Sequence, residues 1–213
     1  MMRIRSLNVG MPVQVPYNNH TILTAVEKKP TEEELFLSRV NFTGDAQGDL
    51  VHHGGPDKAV NVYSFDHYPY WEQELGITLD YAAFGENLTV EGWTESEVCI
   101  GDIYRLGNAI VQVSQPRKPC YKLELKHGIA GIEKKVIETG FSGFYLRVLE
   151  EGTVSQRSDI TLIKKHPLGI TVSFVNQLMY NQNAELAAIK QVICLEELSE
   201  VWRESLRKRI EAP

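Results

Sequence analysis

Near residue 165 the apolar pattern of the chain changes its period. Before that point polar and apolar residues alternate in short runs broken by glycine; after it, apolar residues recur three and four apart. Side chains alternate between two faces on a strand and return to one face every three or four residues on a helix. The switch predicts a strand-rich part over residues 1–165 and a helical part over 166–213, joined through His166-Pro167-Leu168-Gly169, a segment with two helix and strand breakers.

Within the first part, "RIRSLNVG" (3–10) and "AIVQVSQ" (109–115) alternate as half-buried strands do. The second pairs naturally with "GDIYRL" (101–106) across a tight Gly107-Asn108 turn. "ELFLSRV", "AVNVYS", "ENLTVEG" and "GFYLRVLEEG" read as further strands. Helical signals are fewer. "SFDHYPYWEQELG" (64–76) has a serine to cap its start and a glycine to stop it, but Pro69 delays or bends the helix. "IAGIEKKVIETG" is a second, shorter helix. Strands and helices do not alternate in a βαβ rhythm, so the expected class is mainly β (α+β), an antiparallel barrel or sandwich. The tail reads as three short helices, the last ending in "RKR", which suits the negative end of a helix dipole. A unit of about 45 residues buries too little to stand alone. It is expected to pack on the barrel or on a second copy of the chain, as a homodimer.

The net charge of −6 excludes a generally basic nucleic-acid-binding surface. From Lys164 onward seven Lys and Arg oppose six Asp and Glu, so the tail is not a basic module either, and no nucleic-acid polymer is expected as a partner. No apolar run approaches the length of a bilayer span, and the start "MMRIRSLNVG" lacks a secretory apolar stretch; no membrane partner and a cytoplasmic location are expected. Three cysteines argue against a disulfide framework.

Those cysteines differ. Cys194 in "QVICLEEL" and Cys99 in "EVCIGD" read as core thiols. Cys120 lies in "VSQPRKPCYKLE", behind Pro119 and among Arg117, Lys118 and Lys122. Nearby cations favour a thiolate, which is both nucleophile and soft-metal ligand. Yet proximity in sequence is not proximity in space, and a structural thiol fits equally.

Three other stretches carry polar chemistry. "DLVHHGGPDKAVNVYS" (49–64) offers His52 and His53, then Gly54 and Gly55, whose N–H groups can converge on an anion, and Lys58. Adjacent histidines diverge, so zinc spacing is missing, and no phosphate-loop, dinucleotide or serine-hydrolase signature occurs. "VNFTGDAQGD" (40–49) presents Asn41 and Asp45 without the ligand spacing of an EF-hand. "FGENLTVEG" (84–92) presents Glu86 and Asn87 at a turn before a strand. Each also reads as an ordinary turn.

Taken together, "GDAQGDLVHHGGPDKAVNVYSFDHYPYW", "FGENLTVEGWTESEVCIGDIYRLGNAIVQVSQPRKPCYKL" and "GFYLRVLEEG", in that order over most of residues 40–163, resemble the MOSC-domain family, and within it the stand-alone bacterial YiiM-type branch. The C-terminal helices are similar to the small three-helix domain of that branch. The resemblance implies a β-barrel that binds molybdenum cofactor (molybdopterin), with Cys120 as catalytic residue and metal ligand. It implies reductive detoxification of N-hydroxylated small molecules, such as N-hydroxylated purine bases, with a separate electron-donating redox partner. By the same resemblance Arg117, Lys58, the Gly54-Gly55 turn and one of Lys28 and Lys29 face the cofactor phosphate, with Lys28 the candidate taken and Lys29 left open. Asn41, Asp45, Glu86, Asn87 and Ser114 serve its polar pterin edges. His52 positions cofactor or substrate, and His53 supplies a proton. The alternative is a carrier of the cofactor or its sulfur, without turnover of its own.

Overall fold

The computed structural model describes residues 2–49 and 54–211. The first 164 residues contribute twelve strands: β1 Arg3–Val9, β2 Val13–Tyr17, β3 His20–Thr24, β4 Lys29–Thr31, β5 Leu35–Leu37, β6 Val60–Ser64, β7 Leu88–Glu91, β8 Ile103–Leu106, β9 Ala109–Pro116, β10 Phe144–Glu150, β11 Gly152–Val154 and β12 Ile160–Lys164. Eight form one sheet in the order β12-β8-β9-β10-β6-β7-β1-β4, an open half-barrel. The β6–β7 pair is parallel and its neighbours are antiparallel. β5 pairs with β11, and β2 pairs with β3 as a separate hairpin.

The expected β8–β9 hairpin forms, with Leu106 opposite Ala109 and Gly107 in the left-handed region at φ 58°. A parallel pair needs a crossover, and the β6–β7 crossover carries α1 (Tyr68–Leu75). Pro69 acts there as expected. A 3₁₀ turn over Phe65–His67 comes first, Ser64 accepts from the Asp66 amide, and the helix ends at Gly76 with φ 68°. Two short helices, α2 (Lys122–His127) and α3 (Ile132–Thr139), cross from β9 back to β10.

One apolar cluster fills the concave face of the sheet: Leu7, Val60, Val62, Leu88, Val111, Val113, Phe144 and Leu146 are all buried. A second cluster, built on Trp71, Phe84, Tyr63, Leu123 and Val136, glues α1, α2 and α3 to the outer face. β6 serves both sides. Val60 and Val62 face the first cluster, while Asn61 and Tyr63 leave the opposite face.

The tail is three helices, α4 Val172–Tyr180, α5 Leu186–Ile193 and α6 Glu200–Glu211. Val175, Ile189, Val192, Trp202 and Leu206 join the apolar cluster of the half-barrel. Of the two expected packings, this chain shows the helices on the barrel. Backbone bonds seal the joint: Ile100 N donates to Ile170 O at 2.9 Å, Val172 N to Val98 O at 2.8 Å and Ser199 N to Ser114 O at 3.0 Å. The linker is anchored by Asp102, which accepts from the backbone N–H of His166 at 2.7 Å and of Cys99 at 3.0 Å.

Cys99 is buried, as its apolar setting predicts. Cys194 is exposed, contrary to the expectation of a core thiol. It occupies the C-cap of α5, where the helical face it would have shared ends, and Leu195 and Leu198 fill the core instead.

Candidate functional site

The neighbours β9, β10, β6 and β7 bring distant stretches to one cleft. It encloses about 580 Å³ of atom-free space, its open mouth included. Lys28 enters from the start of the β3–β4 connection's far end, Asp45 from the loop after β5, and Lys58 from a 3₁₀ turn before β6. Phe84, Gly85 and Asn87 arrive on the loop into β7, Arg117 and Cys120 on the segment after β9, and Lys122 at the start of α2. Asn61 on β6 lies directly across from Tyr145 on β10, so both side chains leave the same face of the sheet.

Asp45 organises the wall. Its Oδ1 accepts from Lys28 Nζ and from the Gly10 amide at 2.9 Å; its Oδ2 accepts from Asn87 Nδ2 at 2.9 Å. Burial pushes the Lys28 ammonium below the usual lysine range, and the carboxylate of Asp45 works against that shift. A carboxamide at position 45 would offer one acceptor oxygen where the carboxylate uses two. Asp45→Asn is therefore expected to lower stability by about 1–3 kcal/mol, read from urea unfolding; a loss below about 0.5 kcal/mol, the size of an ordinary surface change, would contradict this role.

Three further cations, Lys58, Arg117 and Lys122, reach the cleft. Burial depresses the Lys58 ammonium, and Lys118 adds to the shift against Asp57 and Asp49. Lys122 is buried at the head of α2. Cys120 is half-buried at the cleft wall, and its carbonyl accepts from the Leu123 amide at 3.0 Å to open α2. Of the basic residues around it in sequence, Arg117 and Lys122 line the cleft with it. Lys118 turns away: its ammonium donates to Ser205 at 3.1 Å and sits 5.5 Å over the Trp202 ring. Tyr121 points to the rim, 4.9 Å from the ring of Tyr17 on the β2–β3 hairpin.

The structure thus gathers Lys28, Asp45, Lys58, Asn87, Arg117 and Cys120 at one place. It sends other expected ligands elsewhere. Glu86 is buried, with Oε1 accepting from Tyr68 at 2.6 Å and Thr89 at 2.7 Å and Oε2 from the Phe84 amide at 2.9 Å; its carboxylate braces the β7 loop and does not line the cleft. The Ser114 hydroxyl is held by the carbonyls of Asp57 at 2.6 Å and Tyr145 at 3.0 Å. Asn41 donates to the Asp45 carbonyl at 3.0 Å and shapes that loop from behind. Gly54 and Gly55 lie outside the cleft lining, with Gly55 exposed at φ 100° before the 3₁₀ turn. His52 and His53 lie outside the described residues.

Asn61, Lys122 and Tyr145 were not expected in the site. Asn61 carries a sequence signal, a lone carboxamide between Val60 and Val62 in a buried strand; buried polar groups ask for partners.

An open half-barrel with helices on its flank and a cation-lined cleft at one end is the architecture of a MOSC domain, and the MOSC-domain profile matches residues 49–161. The chain belongs to the MOSC-domain family. A second profile, the YiiM-like 3-alpha helix domain, matches residues 170–212 and places it in the YiiM-like branch. The protein YflK of Bacillus subtilis is 50% identical over 97% of this chain and 93% of its own length. A protein of Gibberella moniliformis named "Reductase" is 34% identical over 78% of this chain, which spans 30% of that longer protein. The crystal structure of YiiM from Geobacillus stearothermophilus superposes with a TM-score of 0.84 at 36% identity, covering 99% of this chain and all of that one. Among the described residues no helix is long and apolar enough to cross a membrane.

Proposed function

We propose that the cleft binds molybdenum cofactor, with Cys120 as protein ligand, and that the protein reduces N-hydroxylated small molecules. The observation that carries the reading is the meeting of one half-buried thiol with Lys58, Arg117 and Lys122 in a cleft where the one carboxylate among the described lining residues, Asp45, is already committed to Lys28. The donor set fits the group. The excess of cations suits a phosphate, with Lys58 and Lys122 the nearest in kind to phosphate anchors, and a thiol suits a soft metal. Among the described residues no three His, Cys, Asp or Glu side chains assemble a metal site, so a metal held at Cys120 would take its remaining ligands from the bound group. Asn61 Oδ1 and Arg117 Nη1 are buried in the wall with no hydrogen-bond partner among the described residues, as in a site whose ligand completes it.

When bound, the cofactor supplies the two-electron redox chemistry. The chain's residues do the rest: Cys120 fixes the reactive end, the lysines hold the anionic end, and the Asp45–Lys28 pair keeps the wall in place. Reduction of R–NHOH to R–NH₂ and water consumes two electrons and two protons. An electron-donating protein partner supplies the electrons, His53 is assigned one proton on its chemistry, and the second comes from solvent. The relative named "Reductase" agrees with an oxidoreductase role. Incubation of cofactor-loaded protein with N6-hydroxyadenine and a reductant system is expected to yield adenine. Stable cofactor retention with no adenine formed would assign a carrier instead.

A further inference from the structure

Asn61 has one side-chain atom engaged and one without a partner. Its Nδ2 donates to the Gly85 carbonyl at 3.2 Å, while its Oδ1 is buried with no partner among the described residues. Reversing the amide would set oxygen against oxygen, so the orientation is fixed by chemistry. The main chain at this residue is pinned. Its backbone N–H donates to Asn87 Oδ1 at 3.1 Å, and its carbonyl accepts from the Asn87 amide at 2.8 Å.

Arg117 repeats the arrangement one residue earlier on the same loop. Its Nη2 donates to the Phe84 carbonyl at 2.9 Å, and its Nη1 is buried with no partner of hydrogen-bond geometry among the described residues. The Tyr145 hydroxyl lies within hydrogen-bonding reach of the guanidinium and shares in its charge, but it does not meet the strict geometry of a bond to Nη1, so Nη1 keeps a donor for a ligand. Asn61 is 8% exposed and Arg117 5%, and both line the cleft. Consecutive carbonyls, Phe84 and Gly85, thus hold a guanidinium and a carboxamide so that one donor and one acceptor remain. A buried polar group without a partner is destabilising, and a complementary ligand removes that cost on binding.

We propose that Arg117 Nη1 and Asn61 Oδ1 read a heteroaromatic ring edge that sets a hydrogen-bond acceptor beside an N–H, the lactam or amidine edge of purines and pteridines. A phosphate does not fit this pair. The dianion of a phosphate ester offers acceptors to Arg117 but no donor to Asn61 Oδ1, so the pair moves Arg117 from the phosphate role expected of it to recognition of a ring. The proposal rests on the functional reading above in that the ring belongs either to an N-hydroxylated base or to the pterin of the cofactor.

The test is direct binding to the full chain free of metal and cofactor, so it stands or falls apart from turnover. N6-hydroxyadenine, 6-hydroxymethylpterin and inorganic phosphate are titrated separately into wild type and Asn61→Leu. Wild type is expected to bind at least one of the two heterocycles, and the variant to bind it about tenfold or more weakly, about 1.4 kcal/mol, with phosphate binding equal in both. Binding of the hydroxyadenine assigns the edge to the substrate; binding of the pterin assigns it to the cofactor. Asn61→Ser, smaller and still polar, takes the same test if the leucine chain does not fold. No binding of either heterocycle to wild type, or equal binding by wild type and variant, overturns the proposal.

Discussion

Cys120→Ser is expected to lower the rate of N6-hydroxyadenine reduction by about a hundredfold or more while leaving the folded protein intact. Loss of a residue that merely orients a metal ligand costs about 10–100-fold, and loss of the ligand itself costs no less. Serine is nearly isosteric with cysteine, but its hydroxyl stays protonated at neutral pH and is a harder donor, poorly matched to a metal that prefers thiolate. The residue is half-buried at the cleft wall and its backbone, rather than its sulfur, opens α2. Thermal stability should therefore move by no more than about 0.5 kcal/mol, as at an ordinary surface site. Steady-state adenine formation and a melting curve on the same preparation check both halves. Full activity in the serine variant would remove Cys120 from the chemistry.

Trp202→Ala is expected to have the opposite profile, a loss of about 3–5 kcal/mol of stability with no direct contact to the cleft. The Trp202 ring is fully buried at the joint between α6 and the half-barrel, in the same apolar cluster as Val113 and Val175. Its truncation leaves a cavity between two layers that cannot collapse independently, because Ser199 N to Ser114 O and Lys118 to Ser205 bridge them nearby. Three helices with so little core of their own should then separate from the barrel or melt with it. Urea unfolding followed by far-ultraviolet circular dichroism measures the loss. A change below about 1 kcal/mol, far short of the cost of an emptied buried tryptophan site, would show that the tail contributes little to the common core.

The fold was legible where one physical signal ruled. β1, β6, β7, β8, β9 and β10 all fall within stretches whose alternation or apolar run marked them. The β2–β3 hairpin gave no such mark. It pairs only with itself and is mostly exposed, so neither face needs to be apolar, and Pro16 within β2 reads as a break. α2 was missed because six residues without a side-chain cap carry no helical period. Of the candidate residues the family likeness offered, the fold brings Cys120, Arg117, Lys58, Asp45 and Asn87 to one cleft, and of Lys28 and Lys29 it is Lys28 that lines it. Glu86 and Ser114 look alike in sequence to true cleft residues, yet their polar atoms are consumed by Tyr68, Thr89, Asp57 and Tyr145, partners that only the folded chain brings near. The parity of β6 decides Asn61 in the same way: one residue either side and the carboxamide would face the valines of the core.

The central claim is that a sulfur at position 120 holds a molybdenum-bearing cofactor in this cleft. The most direct measurement is molybdenum per chain by elemental analysis, on wild type and Cys120→Ser purified from the same cofactor-competent host. Near-stoichiometric molybdenum in the wild type, falling sharply in the variant, is the predicted result; a wild type without molybdenum, or equal metal in both proteins, would contradict it.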